Sequence, residues 1–477
     1  MTPQTDLPTE NDLHRHFSSL RQKTHELRRE SLAERKRRLK ALEGWIHAHR
    51  DRIGQAVHAD YRKPLLEVDT SEIYPVLTEL RHALHNLEQW AAPTKIDAPI
   101  TYLGTRSEVR YEPKGTCLIM APWNFPFNLC VGPLVSCLAA GNNAVVKPSE
   151  MTPNTSRLIR EMVTEIFPPD IVFVAEGGVD VAKELLKLPF DHIFFTGSTA
   201  VGRQVMQAAA THLSSVTLEL GGKSPTLIDR SANLRDAAKR IAFGKWLNNG
   251  QTCIAPDYIL VDASVEENFI ALLKEEVKNI FGDGKEIDEQ SASYSRLATD
   301  RQYGRVRALV DDAVACGAKA HPLGPDNAKE RFMAPVILTG VPPEAKVWEE
   351  EIFGPVLPIA PFTDMEQAAA LIRNLPKPLA LYIFSQRREF QEYFLGGISS
   401  GTACINDCVL QFTHPCLPFG GVNDSGIGKS HGHFGFLAFS NEKPVLRQKG
   451  GYAGPYLLYP PYTKGMKKIV DALLKWF

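Results

Sequence analysis

The sequence predicts an α/β protein made of two parallel-sheet units. Short apolar runs at 115–121, 143–147, 171–174 and 192–196 alternate with helical patterns, as expected for strands joined by helical crossovers. A second alternation crosses 223–411, with helical patterns at 233–247, 265–281 and 299–315 and strand-like runs at 258–262, 334–338 and 379–385. A chain of 477 residues has room for about two to four domains.

Composition narrows the function classes. With 44% hydrophobic and 23% charged residues, this is an ordinary folded chain able to bury large cores. Lys plus Arg number 54 against 55 Asp plus Glu, so no nucleic-acid partner is expected. No run approaches the roughly 18 apolar residues of a membrane span, and Met1–Leu7 lacks an apolar core, so no signal or transit peptide is expected. The cysteines at 117, 130, 137, 253, 316, 404, 408 and 416 show neither CxxC pairs nor a metal-ligand spacing. Free thiols in a reducing, cytoplasmic setting and no metal site are the expectation, with Cys404 and Cys408 as packing residues.

In chain order, residues 11–60 read as two long charged helices, with Leu39, Leu42 and Ile46 at helical spacing. The basic run at 35–40 is interleaved with Glu30, Glu34 and Glu43, which makes it a solvated face. Ile73, Val76, Leu77, Leu80, Leu84, Leu87 and Trp90 mark an amphipathic helix ending near Pro93. Residues 99–111 alternate like an edge hairpin, with Ile100–Gly104 and Val109–Tyr111 as its strands. Pro122-Trp123-Asn124-Phe125-Pro126 follows the first buried strand, and its two prolines set a rigid turn.

The chemistry is placed on Leu218–Pro225 and Gly250–Asp257. Cys253 follows Asn248, Asn249, Gly250, Gln251 and Thr252, a loop where backbone N–H groups can reach a reacting atom. A thiol there can be a nucleophile, although a free Cys is often only a small buried hydrophobe. Glu219 ends the run Val216-Thr217-Leu218 just before Gly221-Gly222 turns the chain. Flanked by Leu218 and Leu220, its pKa is expected to be raised, as a general base near neutrality requires; the bland alternative is a strand cap.

These two stretches resemble the aldehyde dehydrogenase superfamily, and GQTCIAPDY with TLELGGKSP resembles its class 3 branch; the likeness covers nearly the whole chain. The resemblance implies two Rossmann-like parallel α/β domains with a small β oligomerisation arm. It divides the chain into an NAD(P)-binding domain (1–98 and 112–222), a catalytic domain (223–411), an arm (99–111 and 412–445) and a tail (446–477). It makes Cys253 the nucleophile, Glu219 the base and Asn124 an oxyanion donor beside the Cys253 N–H, and it points to a homodimer.

NAD is the implied cofactor, with NADP possible. By the resemblance, Lys147 and Glu150 hold the adenosine ribose; a carboxylate at 150 disfavours a 2′-phosphate. Gly197, Ser198 and Gly202 lie in a turn joining a strand to a helix, where glycines admit the pyrophosphate and the helix N-terminus attracts it. On its own that turn reads as a plain strand–helix junction. In Glu349–Pro355, Glu351 resembles the ligand of the nicotinamide ribose and Phe353 the ring packing on the nicotinamide; alone, the stretch reads as a charged helix end before a buried Phe.

Pro418–Gly428 resembles the segment that returns to the first domain and the dimer partner, with Asn423 where the family has Gly. Asn tolerates the left-handed backbone, so the turn is expected to survive. The tail from Lys464 to Phe477 reads as a basic amphipathic helix, with Ile469, Val470, Leu473, Leu474 and Phe477 on one side. Packing on its own or a partner's surface is favoured over peripheral membrane contact.

The expected reaction is oxidation of an aldehyde to an acid through a thiohemiacetal and thioester on Cys253, the latter hydrolysed by Glu219-activated water. Phe125, Phe127, Trp246, Phe412 and His414 are the expected lining of an apolar funnel, suiting medium-chain aliphatic or aromatic aldehydes. Two alternatives stay open: a semialdehyde or coenzyme A-acylating dehydrogenase, and a non-catalytic binding protein on the same fold. Retention of Glu219 speaks against acylation, and the retained set Asn124, Lys147, Glu219, Cys253 and Glu351 against the binding protein.

Overall fold

A computed structural model describes residues 8–99, 102, 104–448, 450–451, 456 and 459–476. Met1–Leu7, Ile100, Thr101 and Leu103 of the expected hairpin, and Phe477 of the tail lie outside these residues.

Strands Thr116–Met120, Asn143–Lys147 and His192–Thr196 are buried almost throughout, which is why they read as continuous apolar runs. They form the middle of a six-stranded sheet ordered Gly426–Ile427, Ser215–Glu219, His192–Thr196, Thr116–Met120, Asn143–Lys147, Val172–Val174. All its pairs are parallel except Gly426–Ile427, which runs antiparallel to Ser215–Glu219. Thr196 pairs with Glu219 and Met120 with Lys147, so these residues share the carboxyl edge of the sheet, where open α/β sheets bind ligands.

A seven-stranded sheet follows, ordered Lys319–Pro322, Val336–Thr339, Val356–Phe362, Tyr258–Asp262, Pro225–Ile228, Ala380–Phe384, Thr402–Ile405. It is parallel apart from Lys319–Pro322. Val356–Phe362 is hidden in sequence by Pro358 and Pro361. Its neighbours are staggered: Val336–Thr339 pairs with residues 356–359 and Tyr258–Asp262 with 359–362, so each proline faces one neighbour only.

The charged N-terminal stretch is three helices rather than two: Glu10–Leu27, Leu32–Ala48 and Arg50–Tyr61. The first break is set by Ser31, whose hydroxyl accepts the Glu34 N–H and restarts the helix. The amphipathic helix is Tyr74–Ala91, entered through a π-helical turn at Asp69–Ile73. Helix Asn128–Ala140 carries almost no polar face; being buried on most sides, it shows no amphipathic period.

Thr94–Ile96, Thr105–Pro113 and Ser440–Gln448 make an antiparallel three-stranded sheet, whose last strand continues three residues past 445, where the tail was expected to begin. Asn423 has φ 58°, the left-handed conformation expected of it, and Lys377 Nζ donates to its Oδ1 at 2.8 Å. Helix Lys464–Trp476 fully buries none of its described residues; Val470 and Leu473 are partly covered, and Leu474 and Trp476 are exposed. No helix among the described residues is long and apolar enough to cross a membrane.

Candidate active site

The carboxyl edge of the six-stranded sheet faces a cavity of about 560 Å³. Its wall includes Asn124, Gly197, Ser198, Glu219, Cys253, Glu351, Phe353 and Phe412, brought from positions nearly 300 residues apart.

Cys253 is half-buried beyond the turn Leu247–Gly250, where Asn248 and Asn249 both take left-handed conformations (φ 54° and 55°). Burial pushes the Cys253 thiol well above its ordinary range, and the charges of Glu351 and Glu219 push the same way. The thiol therefore rests protonated and needs a base. Glu219, the last residue of its strand, is buried, and burial raises its pKa to about 7 against the opposing Ser430 hydrogen bond and Lys429 charge. Its Oε2 has no hydrogen-bond partner among the described residues.

Asn124 is held from three sides. Its Nδ2 donates to the Gln251 carbonyl at 2.9 Å, leaving its second N–H. Its backbone carbonyl accepts from Asn248 Nδ2 at 2.7 Å and Tyr61 Oη at 2.9 Å. The loop bearing Asn124 and the loop bearing Cys253 are thus tied directly to each other.

The residues that hold this tie were not anticipated. Lys63 and Glu72 form a fully buried ion pair at 2.8 Å, and Glu72 Oε2 accepts the N–H groups of Phe127 and Asn128. Glu67 Oε1 accepts the Asn248 N–H at 2.9 Å, and burial raises its pKa to about 7. No sequence signal marks the contacts to Phe127, Asn128 and Asn248, whose partners lie 55 to 181 positions away.

Residues 4–445 match the aldehyde dehydrogenase family. The chain belongs to that family. Aldehyde dehydrogenase family 3 member A2 of Rattus norvegicus is 40% identical over 453 residues, covering 95% of this chain and 92% of the relative. The rat protein named "Aldehyde dehydrogenase, dimeric NADP-preferring" is 40% identical over 421 residues, covering 87% of this chain and 90% of its own. Among solved structures, the substrate-bound state of Staphylococcus aureus AldH superposes with a TM-score of 0.92 at 37% identity, covering 97% of this chain and 99% of that one. The protein is an aldehyde-oxidising oxidoreductase with the α/β fold of these enzymes.

In this aldehyde dehydrogenase, the chain's own groups fit a dinucleotide at the cavity. Helix Thr199–His212 opens onto it with Ser198, Thr199 and Ala200 in the wall, and the buried Oγ1 of Thr196 has no hydrogen-bond partner among the described residues. The Glu351 carboxyl presses against Gly221, and burial together with the Asp257 charge raises its pKa to about 8. Phe353 meets Trp123 edge-on, ring centroids 5.3 Å apart.

Other expected residues are placed elsewhere. Lys147 and Glu150 lie outside the cavity wall at the same sheet edge, two strands from Thr196, paired with each other at 2.9 Å. Gly202 does not reach the cavity: its N–H is spent on the Ser198 carbonyl, and a Cβ there would meet Leu220 Cδ2 at 2.6 Å, so its role is close packing.

The expected funnel is largely corrected. Phe127 and Trp246 are fully buried in two separate cores, with Trp246 Nε1 donating to the Pro355 carbonyl. Phe125 lies under the Lys63 ammonium, 4.0 Å from the ring centroid, and His414 is exposed outside the wall. Phe412 alone of the five reaches the cavity, packed on Phe419 and His431. Two helices supply further wall residues: Tyr74–Ala91 through Pro75, Thr78 and Glu79, and Asn128–Ala140 through Leu129, Gly132, Pro133 and Ser136. Both sets follow helical spacing, a signal visible in the sequence but indistinguishable there from core packing.

Proposed function

We propose that this enzyme oxidises medium-chain aliphatic or aromatic aldehydes to carboxylic acids with NAD(P), through a thioester on Cys253. The carrying observation is the convergence of Cys253, Glu219 and Asn124 on one cavity whose wall includes the apolar side chains Pro75, Leu129, Phe412 and Phe419.

Glu219, whose Oε2 has no partner among the described residues, takes the thiol proton, and Cys253 Sγ attacks the aldehyde carbon. The free N–H of Asn124 and the backbone N–H of Cys253 receive the developing oxyanion. When bound, NAD(P) would supply the hydride acceptor for this adduct. A thioester remains on Cys253. Glu219 releases the thiol's proton to solvent and then takes a proton from water. The hydroxide adds to the thioester carbonyl, and the C–S bond breaks with its electron pair going to Sγ. The Glu219 proton returns to that thiolate, and the acid leaves as carboxylate with its own proton passing to solvent. Glu351 would hold the ribose beside the reacting carbon and Phe353 would pack on the nicotinamide. Ser198 and the helix behind it would hold the pyrophosphate, and Lys147 with Glu150 the second ribose.

The negative charge of Glu150 supports NAD over NADP, although a relative is named NADP-preferring. The same relative is named dimeric, and the exposed edge strands Thr94–Ile96 and Ser440–Gln448 support a homodimer built on them. Eight free thiols support a reducing cytoplasmic setting.

The test is NADH formation from hexanal, benzaldehyde and succinic semialdehyde, each with NAD and NADP. Wild type is expected to release acid, Cys253→Ala to be inactive and Glu219→Gln to accumulate thioester. Turnover only with coenzyme A present would establish the acylating reading instead.

A further inference from the structure

Among the described residues, the Glu219 carboxyl is held by one hydrogen bond: Ser430 Oγ donates to Oε1 at 2.8 Å. Both residues are buried. Ser430 is itself fixed, because its N–H donates to the Phe419 carbonyl at 2.7 Å and its carbonyl accepts the Phe419 N–H at 3.1 Å. The hydroxyl also lies 3.3 Å from that Phe419 carbonyl, a longer contact with a neutral oxygen, so its single proton goes to the carboxylate. The next residue, His431, has a positive φ of 72° that carries the chain away toward Glu79.

We propose that Ser430 is a positioning residue for the catalytic base, clamping one oxygen of Glu219 so that the other faces the thioester, and that it sets the pH at which the thioester is hydrolysed. The inference rests on Glu219 being the base that activates water.

The electrostatic neighbourhood leaves this role to Ser430. From its own segment, Lys429 acts on Glu219 by charge alone, since its ammonium is spent on the carbonyls of Gly401, Gly420 and Gly421. Across the cavity stand Cys253 and Glu351, whose negative forms disfavour an ionised Glu219. The neighbouring strands offer Thr196 on one side and the uncharged Gly426–Ile427 on the other. The Glu79–His431 pair at 3.5 Å is turned toward the Gly432 N–H. A hydroxyl that donates more strongly to the ionised carboxyl than to its neutral form holds the pKa down against burial.

The experiment follows decay of the acyl-enzyme in single turnovers of the NAD-loaded enzyme with benzaldehyde, across pH 5.5 to about 9.5, in wild type, Ser430→Ala, Ser430→Thr and Glu219→Gln. Wild type should show an acid limb near pH 7. Ser430→Ala should move that limb upward by about one pH unit, the worth of one hydrogen bond to a charged group. Ser430→Thr, which keeps the hydroxyl, should stay near wild type, and the NAD dissociation constant should be unchanged in both. An unmoved limb in Ser430→Ala, with the limb abolished in Glu219→Gln, overturns the role of Ser430 and leaves Glu219 as base. A limb that persists at full rate in Glu219→Gln instead overturns the reading of Glu219, a result distinguishable from the first.

Discussion

Gly221 and Glu351 touch so closely that a Cβ on Gly221 would fall 1.9 Å from Glu351 Oε2. The glycine that follows the strand bearing Glu219 is thus also the floor on which the Glu351 carboxyl rests. Gly221→Ala should displace the flexible end of Glu351 at little cost in stability while removing the contact to the cofactor ribose proposed for it. The KM for NAD should rise about tenfold or more, with the thermal midpoint within a few degrees of wild type. An unchanged KM would separate Glu351 from cofactor binding.

Glu67 links pH to stability. Its folded pKa of about 7 stands above the ordinary 4.5, burial being the main cause. Between about pH 5 and pH 7 the folded chain therefore holds a proton that the unfolded chain has lost, and the stability this group contributes declines as pH rises through that window. Glu67→Gln keeps an acceptor for the Asn248 N–H and cannot ionise. Its thermal midpoint should exceed wild type at pH 8 and converge with it near pH 5; a pH-independent difference would contradict the raised pKa.

The Lys63–Glu72 pair supports the Asn124 loop from beneath. Glu72→Ala leaves a buried ammonium uncompensated and frees the Phe127 and Asn128 N–H groups. A loss of about 3–5 kcal/mol is expected, read from denaturant unfolding, together with a fall in kcat at saturating NAD. A loss below about 1 kcal/mol would mean that the pair is replaceable by water.

Phe412 and Trp246 should separate specificity from stability. Phe412→Ala widens the cavity, so kcat/KM should shift toward bulkier aldehydes. Trp246→Ala empties a packed core and should cost about 3–5 kcal/mol while leaving the order of preference among aldehydes unchanged. The same panel of aldehydes and one melting curve per variant check both.

By itself the sequence determined what local chemistry can determine. Asn143–Lys147, His192–Thr196 and Tyr258–Asp262 are strands because apolar, β-favouring runs are bounded by turn residues, and the structure has them at the expected positions. Glu219 was marked by its apolar neighbours and the Gly-Gly turn, Cys253 by its loop, and Asn423 by the tolerance of Asn for positive φ. Helix Asn128–Ala140 and strand Val356–Phe362 escaped, the first because burial on most sides erases periodicity, the second because which prolines face a pairing neighbour depends on stagger between strands. The tertiary structure alone decided which aromatics face the cavity. Phe125, Phe127 and Trp246 are as apolar as Phe412, and only the packing of helices against the sheets sends three inward and one to the wall. It alone also brought Ser430 onto Glu219 and Glu67 onto Asn248, because hydrogen bonds between residues 211 and 181 positions apart leave no trace in local sequence.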